Sequence, residues 1–197
     1  MGNREALLAG ARKALLERGL AKVTARDIAK AAGVSLAAIG YHFGSKDRLI
    51  TEALAEATGQ GLGDVFDNRL REAAEGRSLP ESVAPTWNGM LDAIRAHKED
   101  LLLSLENAVR VARSEDSQQF IAEAVDGGVN ELAQILRAAD PPLTAADAHA
   151  VAKLYFTLLQ GMTLLWFMAP AADLIDGDDL ARAVAALAPN RTEPKAE

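Results

Sequence analysis

Apolar residues recur at helical spacing along nearly the whole chain, and no stretch alternates in the manner of a β-strand. In the first segment Ala6, Leu7, Ala11, Ala14, Leu15 and Leu16 form one stripe, which Gly19 ends. Thr24 followed by Asp27 has the form of a capping box and predicts a short helix from Ala25 to Ala32, stopped by Gly33. Ser35 is a suitable N-cap for a third helix, Leu36 to Phe43. Gly44 breaks that helix, and Ser45 caps a longer one beginning at Lys46. Gly59, Gly61 and Gly63 weaken this fourth helix near its middle or end. Ser78, Pro80 and Glu81 mark a new start, with a helix running to about His97. Pro141-Pro142 is a break, after which Thr144 and Asp147 open a long apolar helix that reaches Met168 and stops before Pro170. Asp176 to Asp179 open a final helix with Leu180, Val184 and Leu187 on one stripe. The expected fold is all-α. A three-helix head occupies residues 1–48, a larger helical domain residues 49–189, and a polar tail residues 190–197.

One segment raises the question of a membrane. From Leu154 to Ala172 there is no charged residue, a run close to the length of a spanning helix. It also holds Thr157, Gln160, Gly161, Thr163 and Pro170, with no second such segment and no basic flank. Burial within a helical bundle, with no membrane partner, is the expectation. The beginning, MGNREALLAGARKALLERG, is charged throughout and does not read as a signal peptide, so a cytoplasmic location is expected. With no cysteine, disulfides and thiolate chemistry are excluded.

Charge changes the picture more than composition does. The chain carries a net −7, which argues against a nucleic-acid partner until its distribution is read. Residues 1–50 hold nine Lys and Arg against four Asp and Glu, a net +5 that leaves −12 for the rest. A basic end on an acidic body points to nucleic-acid contact through that end.

The run TARDIAKAAGVSLAAIGYHFGSKDRL, from Thr24 to Leu49, has the physics of a helix-turn-helix. Ile28, Ala29 and Ala32 face inward, the small Ala29 admits a close crossing, and Gly33 supplies the turn. Val34 and Ile39 fill the space between the helices, while Ser35, Ala37, Ala38, Tyr41 and His42 are expected on the outer face. Small side chains let such a helix enter a major groove about 12 Å wide.

With T-x-R-D-I-A, A-G-V-S and Y-H-F-G-S-K-D-R-L at matching spacing, the span from Arg4 to Leu54 resembles the tetracycline-repressor (TetR) family of bacterial regulators. The resemblance implies a double-stranded DNA partner with a palindromic operator. Thr24 then lies where a phosphate is met, and Arg26 where a long donor reaches a phosphate or a guanine edge. Ser35, Ala37 and Ala38 stand in the leading turns of the recognition helix. Tyr41 and His42 match an aromatic pair that binds phosphate, and Lys46 shares a phosphate with the start of its helix. Gly40 departs from the family, where many members carry an aromatic residue. Arg26 is therefore the main candidate for direct base reading, aided by thymine methyls and DNA shape. Phe43 is expected to pack the head, and Arg12, Lys13 and Arg18 to form a solvated face.

The resemblance also implies a homodimer and a small-molecule effector held among the central helices. Trp87, Asn88, Phe120, Tyr155 and Gln160 are the candidates for the lining, since such pockets are mainly apolar with a few polar groups. The last two apolar helices are the expected dimer surface. The function implied is a repressor released from DNA by its effector; an activator or architectural DNA-binding protein without a ligand is the alternative.

Other signals lead nowhere. Gly59-Gln60-Gly61-Leu62-Gly63 has no strand before it and is not a phosphate loop. Asp173, Asp176, Asp178 and Asp179 lack the glutamate of a calcium loop, and helix capping accounts for them. His97 and His149 are isolated. No catalytic residue, metal site or cofactor is expected, and an incidental basic head on a ligand-binding or enzymatic bundle is the remaining, weaker reading.

Overall fold

The computed structural model describes residues 2–74 and 78–187, and the side chains at 60–67 and 69–74 are not described. The expected polar tail lies outside these residues. Among them nine helices follow in order: α1 (Asn3–Arg18), α2 (Ala25–Ala32), α3 (Ala37–Phe43), α4 (Lys46–Ala74), α5 (Leu79–Ala96), α6 (Lys98–Val111), α7 (Glu115–Ala139), α8 (Ala145–Met168) and α9 (Gly177–Leu187). No strand occurs among the described residues.

Local chemistry sets most of the boundaries. Thr24 Oγ1 accepts the Asp27 N–H at 3.2 Å, and the Asp27 carboxylate accepts the Thr24 N–H at 3.0 Å. Gly33 closes α2 at φ 68°, a left-handed conformation that a side chain would strain. Ser45 Oγ accepts the Arg48 N–H at 3.0 Å, and Thr144 Oγ1 the Asp147 N–H at 3.1 Å. At the entry to α9 the Asp176 carboxylate accepts the Asp179 N–H at 2.8 Å.

One expectation needs correction. α3 begins at Ala37 behind Leu36; Ser35 does not cap it with its hydroxyl, and instead its carbonyl accepts the Ala38 N–H at 3.1 Å. α4 runs unbroken through Gly59, Gly61 and Gly63 as a helix of 29 residues. Each glycine costs about 1 kcal/mol relative to alanine, but packing on α1, α5, α6 and α7 supports the helix.

Two apolar cores result. Leu7, Leu15, Ile28, Ile39, Phe43, Leu49 and Ile50 fill the head, and the first turns of α4 belong to it. Trp87, Ile94, Leu132, Leu136, Ala152 and Tyr155 centre the body. α6 serves both, sending Leu103 into the head and Leu101 into the body. α1 crosses α2 at Gly10, where an added Cβ would stand 2.7 Å from Ala32 Cβ and its backbone nitrogen.

α8 is long and apolar enough to cross a membrane by length and composition, yet only 22% of its most apolar stretch is buried. The expected burial is therefore incomplete among the described residues of this chain. Ala148, Ala152, Tyr155, Met162 and Thr163 face inward, while Leu154, Leu164, Leu165 and Met168 are exposed.

Candidate nucleic-acid interface and body cavity

The turn at Gly33 and the shared head core hold α3 across α2 and leave one outer face. Thr24, Arg26, Ser35 and Ala37 are exposed, and Tyr41 stands 85% open to solvent. The Tyr41 ring meets His42 edge-on at 4.9 Å, and His42 is half-buried between Tyr41 and Phe43. Arg26 has no ion pair among the described residues, so its guanidinium is available. Lys46, at the first position of α4, donates from Nζ to the Val23 carbonyl at 3.2 Å, which holds its charge beside the start of α2. Hydrogen bonds from Thr24 lower the Asp27 pKa below its usual value, so this carboxylate is ionised within the capping box.

Ala38 requires correction: it is buried in the head core, because α3 turns that position toward α1 and α4 rather than outward. Leu36 was missed. It stands on the outer side at the mouth of α3, 48% exposed, since the helix begins one residue later than its pattern suggests. Phe43 is buried, as expected.

Several basic residues of the head also bind it to itself or to the body. Arg12 donates to the buried Asp100 of α6 from Nε at 3.0 Å and Nη2 at 2.7 Å. The Asp100 carboxylate raises the Arg12 pKa against the opposing effect of burial. Arg18 pairs with Asp27 at 3.2 Å, and Arg12, Lys13 and Arg18 all remain exposed, as expected. Arg4 lies against Glu52 and 5.2 Å over the Phe43 ring. Arg48 donates to Glu52 at 2.7 Å and to Asp116 of α7 at 3.0 Å, with its guanidinium 4.5 Å over Phe120. Burial disfavours its charge, but Glu52 and Asp116 raise its pKa overall. Asp47 pairs with Arg110 of α6. Apart from Arg48 with Glu52 and Arg18 with Asp27, these ties join residues far apart in sequence, which local pattern cannot reveal.

Between α4, α6, α7 and α8 lies a cavity of about 790 Å³. Tyr155 and Gln160 line it; burial pushes the Tyr155 phenol up to about 12. Trp87, Asn88 and Phe120 do not line it, a correction with a separate reason for each. Trp87 is fully buried and donates from Nε1 to the Ile175 carbonyl at 3.0 Å. Asn88 accepts the Gly177 N–H at 2.9 Å, where α9 comes so close that a Cβ on Gly177 would lie 2.3 Å from the Ala84 carbonyl oxygen. Phe120 supports Arg48. Met90, Leu101, Leu132, Phe156 and Leu159 provide much of the apolar wall. Thr51, Thr58, Ser104 and Asn107 add polar groups on α4 and α6 that helical periodicity alone could not select. Gly128 admits Phe156, whose ring tip would stand 2.6 Å from an added Cβ.

Residues 7–53 match the family model of the bacterial regulatory proteins, tetR family. Among curated proteins, the chain is similar to the HTH-type transcriptional repressor KstR2 of Mycobacterium tuberculosis, at 26% identity over 126 residues covering 58% of this chain. The match spans 60% of the length of that relative. A solved transcriptional regulator from Rhodococcus sp. RHA1 superposes with a TM-score of 0.67 at 16% identity, covering 94% of both chains. The multidrug binding protein EbrR, solved with imidazole, gives 0.65 at 20% identity, again covering 94% of both. A transcriptional regulator from Streptomyces coelicolor A3(2) gives 0.63 at 24% identity, covering 93% of this chain and 96% of that one. At these identities the likeness is one of fold.

Proposed function

From the match of residues 7–53 to that family model, we propose that this chain is a tetR-family regulator, a cytoplasmic, sequence-specific DNA-binding repressor released by a small-molecule effector. The observation that carries the DNA reading is the exposed face of Thr24, Arg26, Ser35, Ala37 and Tyr41 beside Lys46, on a head of net +5. Phosphate contacts from Thr24, Tyr41, His42 and Lys46 fix the head on the duplex, and Arg26 reads a base edge. The thin wall of Ser35 and Ala37 allows the close approach.

The exposed apolar side of α8, together with the exposed Val184 and Leu187 on α9, supports a homodimer through a four-helix interface. Two heads then meet a palindrome whose half-sites lie about 34–36 Å apart. The cavity supports the effector. α4 and α6 line it on one side and hold the head on the other, so a ligand that separates the heads removes the advantage of binding both half-sites. By linkage the effector and DNA weaken each other by one common factor.

The test begins with selection of bound fragments from random DNA by the purified protein, followed by salt-dependent gel shifts on the recovered sequence. A palindromic site bound with a steep salt dependence supports the reading. Indifference to sequence and salt would reject it.

A further inference from the structure

The cavity has a polar end whose chemistry names a class of ligand. Asn107 is only 4% exposed and lines the cavity from α6. Its Nδ2 donates to Thr51 Oγ1 on α4 at 3.2 Å. Its Oδ1 has no partner among the described residues, yet it is not a polar atom sealed inside the protein without one, so it opens onto the cavity. Nearby on the same two helices, the Thr58 and Ser104 hydroxyls bond each other at 3.0 Å, and Thr58 also donates to the Leu54 carbonyl at 2.8 Å. Those groups are satisfied, whereas Asn107 Oδ1 waits for a donor.

The charges around the cavity restrict the ligand further. Among the described residues no lysine, arginine or histidine lines it, and its one lining carboxylate is Glu131, exposed on α7. A carboxylate entering head first would meet the acceptor Oδ1 and no cation, and an unpaired buried charge is strongly disfavoured. The exposed Glu131 adds a like charge to the lining and repels an anion in either orientation. Most of the remaining wall is hydrocarbon, from Leu54, Met90, Leu101, Leu132, Phe156 and Leu159.

We propose that the cavity takes an uncharged, largely apolar ligand whose single hydroxyl or amide N–H donates to Asn107 Oδ1, and that it rejects anionic amphiphiles. This rests on the effector reading of the cavity and adds its ligand class. The ligand's polar end sits on the pair that joins α6 to the part of α4 nearest the head.

The test is calorimetric titration of the full chain with decan-1-ol, its isomer 1-methoxynonane, which lacks the O–H, and decanoate. Decan-1-ol should bind about tenfold more tightly than the ether, the worth of one hydrogen bond to a buried acceptor. Decanoate should bind at least tenfold more weakly than the alcohol. Asn107→Leu should cancel the alcohol's advantage while ether binding stays within about threefold; Asn107→Ala replaces it if the leucine variant loses its helical circular dichroism. Equal binding of alcohol and ether, an alcohol advantage that survives loss of Asn107, or decanoate binding as tight as the alcohol's overturns the proposal while the effector cavity stands. If none of the three probes binds, the cavity's role as an effector site falls together with the proposal.

Discussion

Lys46 does two things with one ammonium, holding the Val23 carbonyl and bringing a positive charge to the start of α4. Lys46→Ala should therefore flatten the slope of log affinity against log salt by about one unit, similarly on all sequences, with a small loss of stability. Tyr41→Phe removes only a hydroxyl from a side chain that the fold leaves in solvent, so it should weaken DNA binding without moving Tm. Arg26→Ala should cost about 1–3 kcal/mol, concentrated at particular base pairs. Gel shifts on operator variants separate these patterns, and a uniform loss for Arg26→Ala would place it on the phosphates. Asp27 offers a pH test. Its folded pKa lies below the usual 3.8, so its contribution to stability is present above that value and disappears as pH falls through the lower one. Asp27→Asn should then lower Tm at neutral pH and leave it nearly unchanged in strong acid, as read by thermal melts across the range. At this scale the sequence was readable wherever the chemistry is local. Thr24 with Asp27, Gly33, Ser45 and Thr144 act within three or four residues of themselves. Ala38 was misplaced because Ala38 and Ile39 are adjacent on a short helix, and only packing against α1 and α4 decides that both turn inward.

Helices meet where a missing side chain permits it, and the glycines of this chain differ sharply in that respect. Gly10→Ala drives a methyl onto the Ala32 backbone, with no flexible side chain to yield, and should cost the head about 1–3 kcal/mol. A Cβ on Gly59, inside α4, would meet nothing within 4 Å beyond its own helix backbone, so Gly59→Ala should stabilise the protein by about 0.5–1 kcal/mol. Chemical denaturation of the two variants checks the contrast; a loss at Gly59 would indicate that the helix needs to bend there. If bending carries the effector signal, Gly59→Ala alters the effector response more than operator affinity in its absence, and an identical response would exclude that hinge. Gly61, its expected companion, falls among the side chains not described. The tie from α1 to α6 is also asymmetric. Arg12 is half in solvent, whereas Asp100 is buried, so Arg12→Ala strands a carboxylate and should cost about 1–3 kcal/mol, more than Asp100→Asn. None of this was visible in the pattern of apolar positions, because Arg12 and Asp100 are 88 residues apart. The same limit explains the lining of the cavity. Trp87 and Asn88 are spent on the chain leading into α9, and Phe120 on Arg48, choices made by elements distant in sequence.

For the whole molecule, the apolar side of α8 and α9 gives the sharpest test of assembly. Leu165→Glu combined with Val184→Glu places two carboxylates on a surface that one protomer leaves open, so the fold should persist while the dimer dissociates. Sedimentation at low micromolar concentration would show it, and a fully dimeric double variant would move the interface elsewhere. DNA affinity should fall with the proposed dimer, since one head offers only a few candidate phosphate-binding groups. The opposed charges of head and body act on the speed of the encounter as well as on its strength. At about 0.01 M salt electric fields reach about 30 Å, so DNA meets the chain's net −7 and repels it in most orientations. Near 0.1 M the reach falls to about 10 Å, and an approaching duplex feels the +5 of the head with the acidic body already screened. The association rate should thus rise with the first additions of salt, pass through a maximum and then fall as the head is screened in turn. Stopped-flow mixing would trace that curve, whereas a uniformly basic protein shows only the descending limb.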